Sequence, residues 1–286
     1  MNLFVFGLGY SAGHYALHHA SGFRRVAGTV RSKDKAEDLA RSGPDTLVFD
    51  GTVADPRLPA VLAEADAILV SVQPHEGRDA ALDRYGGLIG AGRAKRIVYL
   101  STIGVYGDHG GAWIDESVPP RPESRRGQER LAIEQDWLEL GRRTDKQVAI
   151  LRLAGIYGPG GNVLDDLRAG QARRIDKPGQ VFNRIHVGDI GRTIAAAFGA
   201  GQVHGVWNVT DDEPAPAPDV VAYGAELLGI APPPLLDFET VELSPMARSF
   251  YGANRRVSNA AIKARLGVEL RYPTYREGLR DLLQLS

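Results

Sequence analysis

The chain has 286 residues, with 34 Lys and Arg against 35 Asp and Glu, so its formal net charge is −1. That balance excludes a nucleic-acid-binding surface driven by bulk charge. The absence of cysteine excludes disulfides and thiolate chemistry, and leaves only His and carboxylate ligands for any metal. No apolar run approaches the roughly 20 residues that cross a bilayer. Met1 leads straight into an apolar strand, without a basic segment or cleavage site. The expectation is a cytoplasmic protein whose partner is a small molecule, not nucleic acid or membrane.

Residues 1–6 form a short apolar run, followed by the turn Gly7-Leu8-Gly9-Tyr10-Ser11-Ala12-Gly13. Residues 14–20 read as helix and residues 25–30 as a second strand. Strand, glycine turn, helix and strand within about 30 residues is the setting of a dinucleotide fingerprint. Gly7 can take the backbone angles of a sharp turn, and Gly9 leaves room for a pyrophosphate to approach the main chain. Ala12 is small enough for the helix to sit close on the strand. The N–H groups at the helix start, from Tyr10, Ser11 and Ala12, would then face the phosphates with the helix dipole behind them.

Further strand-like runs of Val, Ile and Leu fall at 47–49, 67–72, 96–101 and 147–153. Near-continuous apolarity suits strands buried on both faces of a parallel sheet. Helical stretches at 32–41, 58–64, 78–91 and 127–141 lie between them, which predicts an α/β, Rossmann-type doubly wound sheet. After Tyr157 the alternation fails. Gly158-Pro159-Gly160-Gly161, the basic stretch 168–177 and the proline-rich 213–218 and 232–234 read as loops. Helices are predicted at 187–200, 217–228, 258–266 and 275–285. Residues 1–157 are thus assigned to a dinucleotide-binding domain, with 181–210 contributing. Residues 158–286 form a smaller, mostly helical substrate lobe interleaved with it.

The end of the second strand sets cofactor choice, because an acid there bonds the adenosine 2′-hydroxyl whereas Arg accommodates a 2′-phosphate. The sequence has Thr29-Val30-Arg31-Ser32-Lys33, with no acid until Asp34. Arg31 offers a planar fork for phosphate oxygens, Ser32 a hydroxyl and Lys33 a further charge. NADP(H) is favoured over NAD; a solvated helix start is the alternative explanation of the same cations.

Several later stretches resemble an extended or atypical short-chain dehydrogenase/reductase of the epimerase/dehydratase type. They are Val98-Tyr99-Leu100-Ser101-Thr102-Ile103-Gly104-Val105-Tyr106-Gly107, Trp113-Ile114-Asp115-Glu116 and Leu151-Arg152-Leu153-Ala154-Gly155-Ile156-Tyr157-Gly158-Pro159-Gly160. Asn183-Arg184-Ile185-His186-Val187-Gly188-Asp189-Ile190 and Val206-Trp207-Asn208-Val209-Thr210 complete the set, in order, over nearly the whole chain. The resemblance implies that Asp50 lies near the adenine, that Ser71, Val72 and Gln73 line the adenosine side, and that Ser101 borders the cofactor. It implies that the Thr102 hydroxyl bonds a substrate oxygen and that Tyr157, with Gly158 and Pro159, covers the nicotinamide side. Tyr106 and Tyr157 are more readily explained as packed aromatics than as catalysts. A homodimer packed through helices of the main sheet is also implied.

The resemblance breaks at the family's Tyr-x-x-x-Lys pair. Ser124-Arg125-Arg126-Gly127-Gln128-Glu129-Arg130 puts Arg126 at the tyrosine and Arg130 at the lysine. Arg130 can keep part of the lysine's role, but a guanidinium stays protonated and cannot act as general acid. Arg126 can instead stabilise an oxyanion or grip an anionic group. Substitute acids are few: Tyr106, His109 and His186, the last usually structural in the family. His14 and His18 lie one turn apart and read as helix-surface histidines, not a metal pair. Two functions stay open. One is an NADP(H)-dependent oxidoreductase, epimerase or dehydratase acting on a small carbonyl compound or nucleotide sugar. The other is a non-catalytic dinucleotide sensor. An Asn that many nucleotide-sugar enzymes carry is absent from Leu153-Ala154-Gly155, which weakens the sugar-nucleotide assignment.

Overall fold

The computed structural model describes residues 1–41 and 43–284. The chain runs β1 (Asn2–Phe6), α1 (Tyr10–His18), β2 (Arg25–Val30), α2 (Lys33–Ala40), β3 (Asp45–Val48), α3 (Leu58–Ala63), β4 (Ala67–Val70), α4 (Ala80–Ala91) and β5 (Arg96–Thr102). A 3₁₀ turn, Ile103–Tyr106, leads to β6 (Trp113–Ile114), α5 (Arg125–Thr144), β7 (Gln147–Leu153), β8 (Gly155–Tyr157), α6 (Val163–Arg168), β9 (Arg174–Asp176) and β10 (Arg184–His186). Then come α7 (Val187–Gly199), β11 (Gly205–Val209), α8 (Ala217–Leu228), β12 (Leu235–Asp237), α9 (Pro245–Ser249), β13 (Arg256–Val257), α10 (Ala260–Leu266) and α11 (Tyr275–Gln284).

Seven strands make one parallel sheet in the order β3-β2-β1-β4-β5-β7-β11. This is the doubly wound fold that the alternation predicts. All residues of β1 and β4 are buried, because both faces of the sheet are covered. Leu3, Val5, Val98 and Leu100 pack on the face covered by α1 and α7. Phe4, Phe6, Ile97 and Tyr99 pack on the face covered by α3, α4 and α5. Each such side chain contributes about 1.5–3 kcal/mol on burial, and a one-residue slip would exchange the two sets, so register is strongly specified.

The first helix begins at Tyr10, earlier than the periodicity suggests, and α5 is longer at both ends than the predicted 127–141. The seventh strand, β11, comes from the second half of the chain, outside the predicted strand set. The predicted loop at 168–177 contains the end of α6 and all of β9. The last helix is seen to Gln284; its predicted end at Leu285 lies outside the described residues. Three two-stranded pairs, β8–β10, β9–β12 and β6–β13, knit the later segments together. A separate cluster of Tyr157, Leu164, Ala215, Val220, Tyr275, Leu279 and Leu282 forms under α11.

A buried ion pair ties α5 to the sheet. Arg152 on β7 donates from Nη2 to Glu134 Oε2 at 2.7 Å, with both side chains almost wholly buried. Ser101 Oγ on β5 donates to the other carboxylate oxygen at 2.5 Å. The guanidinium lies 4.7 Å from the Tyr106 ring centre, and the Tyr106 hydroxyl donates to Asn208 Oδ1 of β11 at 2.9 Å. Desolvation offsets much of the attraction in such a pair, but removing one partner strands the other. Arg152→Met should therefore lower unfolding free energy by about 3–5 kcal/mol in urea titration. A loss below about 1 kcal/mol would show that Glu134 is satisfied without it.

Candidate functional site

The crevice lies at the carboxyl edge of the sheet, where β1 and β4 diverge into their connections. Gly7 has φ 85°, a left-handed geometry suited to glycine. A Cβ there would stand 3.2–3.3 Å from Val72 and Ser71. Its N–H donates to Thr29 Oγ1 at 2.9 Å, and the Leu8 N–H donates to the Thr29 carbonyl at 2.7 Å. The end of β2 therefore holds the turn in place. A Cβ on Gly9 would meet no atom within 4 Å, so the main chain is open to a ligand. Gly9 also caps α1 without a side-chain acceptor, leaving the N–H groups of Tyr10, Ser11 and Ala12 for an anion. Ser11 and Ala12 are buried beneath the turn. These residues fit a dinucleotide pyrophosphate. Tyr10 stands across the mouth, its hydroxyl donating to the Pro159 carbonyl at 3.0 Å.

Arg31, Ser32 and Lys33 are exposed beside this turn. Ser32 Oγ is partly spent capping α2, accepting the Lys35 N–H at 3.4 Å. Asp50 is exposed as well, and one oxygen accepts the N–H groups of Thr52 and Val53 at 2.8 and 2.7 Å. Those bonds hold its carboxyl below the usual range. Ser71 extends the β1–β4 ladder through its N–H to the Phe6 carbonyl at 2.8 Å; Val72 is half-buried and Gln73 exposed.

Thr102, the last residue of β5, is half-buried at the same edge. Its Oγ1 accepts the Gly104 N–H at 3.0 Å, which fixes the oxygen and leaves the hydroxyl proton for an outside acceptor. Its neighbour Ser101 departs from the expected cofactor contact. The Ser101 hydroxyl is buried and given to Glu134, because alternation along β5 turns it toward α5. Arg126 is exposed at the start of α5 and makes no ion pair among the described residues. Arg130 also departs from its expected role at the reaction centre. Its Nη1 donates to the Tyr99 hydroxyl at 2.9 Å, drawn toward the buried Asp79, which also accepts Trp137 Nε1 at 3.0 Å.

The Tyr157 side chain packs against α11, and its hydroxyl donates to the Thr274 carbonyl at 3.4 Å. Burial raises its pKa, and the absence of a side chain at Gly278 of α11 makes room for the ring. Tyr106 is wholly buried on Arg152 and Asn208. His109 is tied to the Tyr106 carbonyl at 3.1 Å. His18 is exposed, but His14 is partly buried with its ring 4.6 Å from that of His18. Among the described residues no three His, Cys, Asp or Glu could hold a metal ion, and no helix is long and apolar enough to cross a membrane.

Two residues at this edge were not singled out individually from sequence. Arg184 opens β10 and Asp211 follows β11, where Asp211 is 2% exposed and its Oδ2 has no partner. The only signal for the first was its place in the motif at 183–190. For the second it was an acid run, Asp211-Asp212-Glu213, that reads equally as a solvated turn.

Residues 87–210, from α4 to the end of β11, match the NAD dependent epimerase/dehydratase family. Over that stretch the chain is similar to that family. A conserved protein of unknown function from Silicibacter pomeroyi DSS is 42% identical, with TM-score 0.89 over 99% of this chain and 98% of the other. Protein YeeZ of Escherichia coli K12 is 27% identical over 94% of this chain and 95% of its own. MoeE5, solved with UDP-glucuronic acid and NAD, shares the fold at TM-score 0.80 and 21% identity, over 99% of this chain and 98% of its own.

His186, within the same family stretch, is buried between Tyr157 and Tyr272. Burial, aided by His14, lowers its pKa to about 4 from 6.5. The unfolded chain therefore binds the extra proton first, and stability falls as pH drops below about 6.5. Between pH 6.5 and 5 the wild type should lose about 2 kcal/mol more than His186→Asn in urea unfolding. Equal pH slopes would remove His186 from the balance.

Proposed function

We propose that the chain is an NADP(H)-dependent oxidoreductase, or a redox-neutral epimerase or dehydratase, acting on a small carbonyl compound or nucleotide sugar. The observation carrying this reading is that the open Gly7–Gly9 turn and the Thr102 hydroxyl lie on the same carboxyl edge of the sheet. When bound, the nicotinamide supplies or accepts a hydride. Thr102 donates its hydroxyl proton in a hydrogen bond to the substrate oxygen as charge develops there. Tyr10, Ser11 and Ala12 hold the pyrophosphate through main-chain N–H groups. Arg31, exposed and without an ion pair among the described residues, supports the phosphorylated cofactor, although MoeE5 was solved with NAD.

A second reading, a dinucleotide sensor without catalysis, is favoured by one arrangement. Arg126 cannot deliver a proton, and Arg130 is engaged by Tyr99. Titration with NADPH and NADH addresses the cofactor. Arg31→Ala should cut the preference for NADPH by 10-fold or more, since a charge-assisted contact is worth about 1.5–3 kcal/mol. An unchanged preference would assign the phosphate to another group. For catalysis, NADPH oxidation is followed with a panel of aldehydes, ketones and nucleotide sugars. Thr102→Val should lower turnover by about 100-fold or more and leave cofactor affinity nearly unchanged. Cofactor binding without turnover on any member of the panel would favour the sensor.

A further inference from the structure

Arg184 has an unusual set of partners. Its Nη1 donates to the carbonyls of Phe182 and Ala215, both at 3.0 Å. Among the described residues no carboxylate lies within ion-pair distance of it. Burial pushes its pKa down, while Asp211 attracts it from farther off. A guanidinium has five donors in a fixed fork, and only Nη1 is engaged by these bonds.

Asp211, its neighbour through the main chain, has the complementary deficit. The Asp211 N–H donates to the Arg184 carbonyl at 2.7 Å, so the two residues are neighbours through the main chain. Oδ1 accepts the Glu213 N–H at 3.2 Å, and Oδ2 is buried with no hydrogen-bond partner among the described residues. Burial pushes this carboxyl up to about 8. Glu213, the other nearby acid, is already paired with Arg276. The Asp211 carboxyl is thus buried with one oxygen unpartnered, while Arg184 is half-buried and keeps Nε and Nη2 without a protein partner among the described residues.

The topology sets this pair beside the proposed reaction centre. Thr102 pairs with Leu153, which pairs in turn with Val209 of β11. Two residues past Leu153, Gly155 pairs with Arg184; two past Val209 stands Asp211. Both therefore lie at the carboxyl edge, on the side of Thr102 away from the Gly7–Gly9 turn.

We propose that Arg184 and Asp211 form a substrate-recognition pair for a ligand carrying an oxyanion beside a hydroxyl, a hydroxy acid or a hydroxylated phosphate ester. Arg184 takes the oxyanion on its unused N–H groups, and Asp211 Oδ2 bonds the hydroxyl. Calling the ligand a substrate rests on the enzyme reading above; the binding pair does not.

Calorimetric titration of the full chain, apo and saturated with NADPH, tests it with matched probes. These are malonate against hydroxymalonate, and ethyl phosphate against glycerol phosphate; the tighter pair identifies carboxylate or phosphate. Within that pair the hydroxylated probe should bind about 10-fold tighter. Asp211→Asn should reduce that advantage to under 3-fold. Arg184→Met should weaken both members at least 10-fold and leave NADPH affinity within 2-fold, with Arg184→Lys standing in if the first variant fails to fold. Equal binding of the matched probes in the wild type overturns the proposal. So does retention of affinity in the Arg184 variant. Failure of NADPH to bind would sink the cofactor reading alone, because the apo titration still decides the pair.

Discussion

The pairing of Arg152 with Glu134 is the interaction on which the site depends. It lies beneath the carboxyl edge, between strand β7 and the long helix α5. Charges buried this completely persist only with near-full hydrogen bonding. Arg152 meets that demand with Nε and Nη2 on the carboxylate and its face on the Tyr106 ring. Ser101 supplies a further donor to Glu134. The result locks the end of β5, the 3₁₀ turn after it and the first turns of α5 into one unit. Thr102 is therefore a hydroxyl on a rigid strand end, which is what a group that orients a substrate oxygen requires.

The same economy explains the two arginines at the Tyr-x-x-x-Lys position. Arg130 sits above a polar cluster of Tyr99, Asp79 and Trp137, closed off between α4 and α5. Asp79 also caps α4 through the N–H groups of Ala81 and Leu82 at 2.9 and 3.1 Å. A long cationic side chain one turn into α5 finds a hydroxyl and a buried carboxylate within reach, and is drawn inward. Arg126 has no such attraction beneath it and stays in solvent.

Much of the fold was legible because its signals are local. The Gly7–Gly9 turn requires backbone angles and space that only certain residues allow. The β4, β5 and β7 segments are apolar on both faces, so periodicity alone reveals them. What stayed hidden depends on distant partners. Gly205–Val209 reads ambiguously until β7 is there to receive it, and the short strands β8 to β10 have no periodicity to read. At the site, Gly7 and Gly9 were read from local pattern, and Thr102 from the family resemblance. The fates of Ser101, Arg130 and Tyr157 do not, since each is decided by a residue at least 31 positions away in sequence. Arg184 and Asp211 are the extreme case, each unremarkable until the main-chain bond between them is seen.

One loop carries a different kind of consequence. The Arg121 N–H donates to the Tyr106 carbonyl at 3.2 Å, and Gly107 abuts the Arg121 carbonyl. The excursion from 107 to 121 thus leaves and returns at one point, directly after the turn that follows Thr102. Its outer part reaches β13 through main-chain pairing of Trp113 and Ile114. Its length is accordingly uncoupled from the position of the Thr102 hydroxyl. Asp108, His109 and Gly111 are tied to Asn254 by hydrogen bonds, so the excursion moves with the segment before β13 and not with the strand end.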